Sequence, residues 1–201
     1  MKGIGVKRAV LLAAAALACG IVVPALAATA SAPDDAAWAK GSQWLALRAG
    51  YAKSTAEGAG DGMVGYGFGY RRFLSRKWAL GMYVHHDLVG RFGAASEIEV
   101  PMTLEIARHF NWKTPLHPYL GLGGGTFYHK HYRTGADRSE LQPGGYLTLG
   151  ADTPIARGRA LGFDVRMAVV KQDKNSVDPV FGREKANAVH WSIKLNYAVA
   201  Y

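Results

Sequence analysis

The stretch AVHWSIKLNYAVAY, residues 188–201, decides how the chain is read. Val189, Trp191, Ile193, Leu195, Tyr197, Val199 and Tyr201 are apolar or aromatic, and between them stand Ala188, His190, Ser192, Lys194, Asn196, Ala198 and Ala200. A strand puts successive side chains on opposite faces, so this period of two gives one continuous apolar face and one small, polar and charged face. In a soluble sheet the apolar face needs a covering layer, and little of this sequence has helical periodicity. Lipid is the alternative cover.

The same period returns upstream. It predicts strands over 44–53, 62–73, 78–88, 96–110, 118–131, 143–152 and 161–172, and the last strand makes eight. On the first, Leu45, Leu47, Ala49 and Tyr51 oppose Ala46, Arg48 and Gly50. On the second, Val64, Tyr66, Phe68 and Tyr70 oppose Gly65, Gly67 and Gly69. Glycine ordinarily weakens a strand, but inside a small, strongly curved barrel it relieves crowding. Pro101 falls on the inner face of the fourth strand, where its missing N–H predicts a bulge.

The connections alternate in length. Leu74–Lys77, Asn111–His117 and Thr153–Ala160 are compact, whereas those near 54–61, 89–95, 132–142 and 173–187 are mostly longer and richer in Gly, Ser and Asp. Short turns on one side and longer loops on the other are the pattern of outer-membrane barrels. Backbone groups in lipid must be satisfied internally, so the eighth strand has to close on the first. Aromatic girdles are expected from Phe73, Trp78, Phe110, Trp112, Tyr119 and Tyr201 at the periplasmic interface, and from Tyr51, Phe92, Tyr128, Tyr132, Phe181 and Trp191 at the external one.

Ahead of the strands lie Lys2, Lys7 and Arg8, an apolar run from Ala9 to Val23, and Pro24-Ala25-Leu26-Ala27. This reads as a signal peptide, residues 1–27, cut after Ala27 at an A-x-A site. Its apolar run is shorter than the roughly 20 residues a membrane helix needs. Lipidation at Cys19 is the competing reading, although Ala16-Leu17-Ala18-Cys19 matches a lipobox only loosely. Residues 28–43, without periodicity, read as a periplasmic lead-in to a barrel over 44–201. Removal of residues 1–27 takes three basic residues and the single cysteine, leaving 21 Lys and Arg against 15 Asp and Glu, a formal +6. Disulfides and zinc-thiolate sites are thereby excluded. The modest charge, 25 glycines and 22 aromatics argue against a disordered chain and against nucleic acid as a partner.

The phrases GYGFGYRRFLSRKWALGMY (65–83) and HPYLGLGGGTFYH (117–129), with the aromatic-ended last strand, resemble the small eight-stranded barrels of the outer-membrane protein A, outer-membrane protein X and opacity type. The resemblance covers about residues 44–201. It implies an all-β, antiparallel up-and-down transmembrane barrel, and it implies that Tyr201, where relatives often carry Phe, is the signal read by the barrel-assembly machinery; a monomer is expected, although the sequence does not give the oligomeric state. The peptidoglycan-binding domain of longer relatives has no counterpart here.

Projected onto a barrel, Arg48, Arg166 and Lys194 enter the lumen at middle height opposite Glu99, Glu105 and Asp164. These charges are expected to neutralise one another and fill an interior just wide enough for side chains. A narrow pore for small solutes or ions is the alternative. Arg71, Arg72, Arg76, Lys77, Arg108, Lys113, Arg157 and Arg159, against Asp152 alone, give the periplasmic rim a basic character suited to anionic head groups or cell-wall polymer. His85, His129, His131 and His190, with Asp87, gather near the external end, but their spacing forms no metal motif and no cofactor is expected. His190 and Ser192 share a face, as in the His-x-Ser pair of lipid A deacylase barrels. Ile193 stands where those enzymes carry Asn, and no later Glu follows. The resulting expectation is a non-enzymatic bacterial outer-membrane protein, structural or adhesive, in contact with lipid, lipopolysaccharide or a surface ligand through its external loops. The alternatives are the narrow pore and a lipid A-modifying enzyme.

Overall fold

The computed structural model describes residues 35–54, 62–92, 95–110, 115–132, 138–171 and 187–201. Eight strands run in sequence order: β1 (Gln43–Ser54), β2 (Met63–Phe73), β3 (Trp78–Phe92), β4 (Ala95–His109), β5 (His117–Tyr132), β6 (Arg138–Ala156), β7 (Arg159–Lys171) and β8 (Asn187–Ala200). Each pairs antiparallel with its neighbours, and β8 pairs with β1 in a closed barrel. Closure leaves no unpaired edge, which is what a sheet surrounded by hydrocarbon requires.

The period-two alternation becomes an inside and an outside. Leu47, Phe68, Leu104, Leu122, Leu147, Leu149 and Met167 are each more than half exposed on the outer wall. Arg48, Tyr83, Glu105, Tyr119, Thr148, Asp164 and Lys194 are buried within. The normal arrangement of a soluble protein is inverted, and the exposed apolar belt makes this barrel transmembrane. Among the described residues no helix is long and apolar enough to cross a membrane; the strands do the crossing.

One end carries both strand termini and short turns. The β6–β7 turn is only Arg157-Gly158, made possible by Gly158 at φ +65°, a conformation that costs glycine little. Residues 153–160, expected to form the whole connection, are therefore mostly strand. A short 3₁₀ helix, Asp35–Trp38, precedes β1 and packs at this termini end. The Trp38 indole is 3% exposed and stacks on His117 at 4.2 Å, while Trp44 Nε1 donates to Ala37 O at 2.7 Å. Gly41, at φ +90°, turns the chain into β1 and donates to Phe73 O at 2.8 Å. The expected aperiodic lead-in thus includes a compact turn.

Two expectations are corrected. Pro101 produces no bulge: the β3–β4 register is the same on either side of it, Val84 opposite Met102 and Asp87 opposite Glu99. The pairing lapses across the intervening positions without an inserted residue, and the irregularity of this strand pair lies instead between Val89 and Phe92. Phe73 and Tyr119 do not join a girdle, because both point inward with 1% and 0% exposure. Trp78, Phe110 and Tyr201 do stand exposed at the termini end. Trp112 and Phe181 lie outside the described residues, as do the side chains of Phe92 and Tyr132.

Candidate functional site: the charged lumen

The lumen is organised around Tyr83. Glycine on β2 and on its own strand makes room for its ring: a Cβ at Gly69 would stand 2.8 Å from it, and one at Gly81, two residues earlier on β3, 2.7 Å. The guanidinium groups of Arg48 and Arg166 lie over the ring at 4.5 and 4.4 Å from its centroid. The Tyr83 hydroxyl donates to Glu105 Oε1 at 3.2 Å and accepts from Arg71 Nη2 at 3.3 Å. Tyr119 and Tyr146 extend the same device. Tyr119 lies against Gly150 and carries Arg71 over its ring, and Tyr146 lies against Gly123 with Arg166 over its ring.

Ion pairs tie this layer together. Arg48 donates through Nη2 to Asp164 and through Nε to Asn196 Oδ1. Arg166 reaches Asp164 Oδ1 at 3.1 Å and Glu105 Oε2 at 3.3 Å. Asp164 also accepts from Asn196 Nδ2 at 3.0 Å and from the Tyr119 hydroxyl at 3.3 Å, and Glu105 accepts from Thr148 Oγ1 at 2.8 Å. Four of the six lumen charges expected from sequence, Arg48, Glu105, Asp164 and Arg166, therefore meet in one cluster. The other two take different partners. Lys194 Nζ donates to Asp87 Oδ1 at 2.5 Å, whereas Glu99 lies 3.5 Å from His190 Nδ1 and 3.7 Å from His129 Nδ1.

Arg71 and Asp152, read from sequence as rim charges, are instead buried in the lumen and paired at 2.6 Å. Both sit on inward-facing positions, so strand parity carried the signal. Among the described residues the buried charges are four basic (Arg48, Arg71, Arg166, Lys194) and five acidic (Asp87, Glu99, Glu105, Asp152, Asp164), rather than three of each. Glu99, the acid left over, is the one placed among imidazoles.

The candidate histidine cluster is divided: His129 and His190 stay together around Glu99, whereas His85 and Asp87 take other partners. His85 Nε2 lies 3.2 Å from Arg48 Nη1, Asp87 is held by Lys194, and the His129 and His190 rings are 6.3 Å apart. The His131 side chain lies outside the described residues. Among the described residues no group of three or more His, Cys, Asp or Glu is placed to hold a metal ion. Ser192 and His190 line the same loop-end cavity, within the lumen and away from the lipid-facing wall.

That cavity measures about 40 Å³, and a second, near the termini end, about 10 Å³. One water needs roughly 10–15 Å³, so the first has room for a few waters and the second for at most one. The Arg48–Asp164–Arg166 layer and Tyr83 lie between the two ends. The described lumen is packed rather than open.

With this geometry, the solved structures that resemble the chain include small outer-membrane barrels. Neisserial surface protein A matches with a TM-score of 0.68 at 11% identity, over 81% of this chain and 100% of that one. The N-terminal β-barrel domain of Pseudomonas aeruginosa OprF matches at 0.54 and 14%, over 81% and 98%. Ail, the attachment invasion locus protein of Yersinia pestis, matches at 0.53 and 13%, over 79% and 99%. No protein-family model matches the sequence, and no curated protein matches it. The chain has the eight-stranded antiparallel transmembrane fold of these outer-membrane barrels, as the resemblance in residues 65–83 and 117–129 implied.

Proposed function

We propose that this protein is a non-enzymatic barrel of the bacterial outer membrane, exported by the signal peptide of residues 1–27 and assembled by the barrel-assembly machinery through Tyr201. The termini end faces the periplasm, and the working surface is the set of external connections around 55–61, 93–94, 133–137 and 172–186. The observation that carries this reading is the closed lumen. A barrel whose wall is given to lipid and whose interior is filled by paired charges has only its ends left for recognition. The role is structural or adhesive, through contact with lipopolysaccharide or a polyanionic surface ligand. Ail, of the same fold, has been crystallised with the heparin analogue sucrose octasulfate. A lipid A-modifying activity is disfavoured because His190 and Ser192 face the lumen, while acyl chains run along the outer wall.

The test compares the whole protein, folded in nanodiscs, with a variant in which 133–137 and 172–186 are replaced by short Gly-Ser connections. Both are titrated with lipopolysaccharide and with sucrose octasulfate. Binding by the wild type that is lost in the variant supports loop-borne recognition; equal binding by both, or by neither, removes it.

A further inference from the structure

The termini end carries a ring of exposed cations. Lys40, Arg72, Arg76, Lys77, Arg108, Arg157 and Arg159 are all exposed there. Among the residues whose side chains are described, no carboxylate faces outward at this end; Asp152 is inside, paired to Arg71. With Arg71 and Asp152 paired to each other, no described side-chain carboxylate offsets the external ring.

Three members of the ring leave the side of the barrel rather than its end. Arg72 on β2 pairs across the sheet with Leu80, Arg108 on β4 with Leu120, and Arg159 on β7 with Val199. Those partners are 45%, 50% and 41% exposed on the lipid-facing wall. The guanidiniums therefore start level with the last acyl-facing residues, spaced around the circumference, and their apolar stems lie along the wall with the charge directed to the interface. Arg108 is the most defined: its Cζ lies 5.8 Å from the Trp78 ring centroid and 5.5 Å from that of Phe110. Two aromatic faces hold one side of a planar fork and leave its N–H groups free for bidentate contact with a phosphate. Aromatic rings at this height mark the interface itself.

We propose that this ring is a binding surface for anionic phospholipid, with the lipid phosphate seated on Arg108 beside Trp78 and Phe110, and with Arg72 and Arg159 making equivalent contacts around the wall. Cell-wall polymer beneath the barrel is the poorer fit, because it does not reach side chains that project laterally into the leaflet. The inference rests on the membrane placement of the wall and not on any role of the loops, so the two stand or fall separately.

The test reconstitutes the folded protein in phosphatidylcholine vesicles containing trace spin-labelled phosphatidylglycerol or phosphatidylcholine. The relative association constant of the two labelled lipids with the protein is then read from their motionally restricted fraction. A basic group near an anionic surface contributes about fivefold. The wild type is accordingly expected to prefer phosphatidylglycerol by about fivefold or more at low salt, with the preference falling as salt rises. The combined Arg72→Gln, Arg108→Gln and Arg159→Gln variant brings the ratio close to one. Arg108→Gln alone, the milder change should the triple variant not fold, lowers it by at least half. Lys53→Gln with Lys171→Gln, at the opposite end, leaves most of it. A wild-type ratio near one, or a ratio unchanged in the Arg variants, overturns the proposal. So does a variant that keeps its lipid preference but loses binding to isolated peptidoglycan sacculi, which would assign the ring to the cell wall.

Discussion

Asp164→Ala removes the hub of the lumen network, and its effect follows from the partners it leaves behind. Asp164 is fully buried and accepts hydrogen bonds from Arg48, Arg166, Asn196 and Tyr119. Without it, Arg166 keeps Glu105 at 3.3 Å. Arg48 keeps Asn196, His85 and the face of Tyr83, an amide, an imidazole and a phenol ring, none of which is an anion. A guanidinium cannot shed its proton to escape burial, so one unpaired charge remains in the barrel. Removing one partner of a buried ion pair costs about 3–5 kcal/mol. Replacing both by apolar side chains, Arg48→Met with Asp164→Leu, relieves the orphaned charge, and the double variant is expected to be more stable than Asp164→Ala. The coupling between the two positions is expected at about 2–3 kcal/mol. The assay is guanidinium chloride unfolding in phospholipid vesicles, followed by tryptophan fluorescence and by the heat-modifiable electrophoretic mobility of folded barrels. An Asp164→Ala variant within about 1 kcal/mol of the wild type, or additive single-site effects, would refute the reasoning.

Further expectations come from other parts of the wall and lumen. Gly150→Ala places a Cβ 2.5 Å from Tyr119 Cζ and 2.7 Å from the Phe163 carbonyl, so it loses about 1–3 kcal/mol in the same unfolding assay. Gly145→Ala, whose Cβ meets nothing nearer than the Gly123 oxygen at 3.6 Å, stays within about 0.5 kcal/mol. Leu104→Arg puts a charge on a side chain that is 56% exposed to lipid near middle height, at a cost of about 2–4 kcal/mol. Trp38→Ala empties the floor beneath His117 and costs about 3 kcal/mol, yet it does not make the barrel conduct, because the Tyr83 layer lies above it. An open channel in that variant would mean that the floor, not the charged layer, closes the lumen.

The architecture was legible because a sheet that faces lipid on one side and itself on the other writes its pleat directly into sequence. Arg48, Glu105, Asp164 and Arg166 could be placed in the lumen by parity alone. Their bonding partners could not. Lys194 meets Asp87, 107 positions away, through strand tilt and stagger around the barrel, which no single strand specifies. Glu99 was consequently grouped with the arginines when it sits among histidines. The roles of Tyr83 and Tyr146, and of Tyr119 beyond the girdle expected for it, are hidden because an inward tyrosine resembles any aromatic. The glycines at 69, 81, 123 and 150 that give them space were the available signal. Parity would also have kept Phe73 and Tyr119 out of the girdle and Arg71 and Asp152 off the rim. Trp38 had no signal at all: its burial depends on the barrel mouth it covers, and residues 28–43 carry no period from which to read it.

The closed lumen is the claim on which the functional proposal depends, and single-channel recording of the refolded protein in a planar bilayer tests it most directly. A silent wild type is expected, with discrete, leaky openings once Glu105→Ala removes an anion of the Arg48–Asp164–Arg166 cluster and Lys194→Ala breaks the separate pair with Asp87. Steady conductance from the wild type would contradict it and put a narrow pore in place of a sealed scaffold.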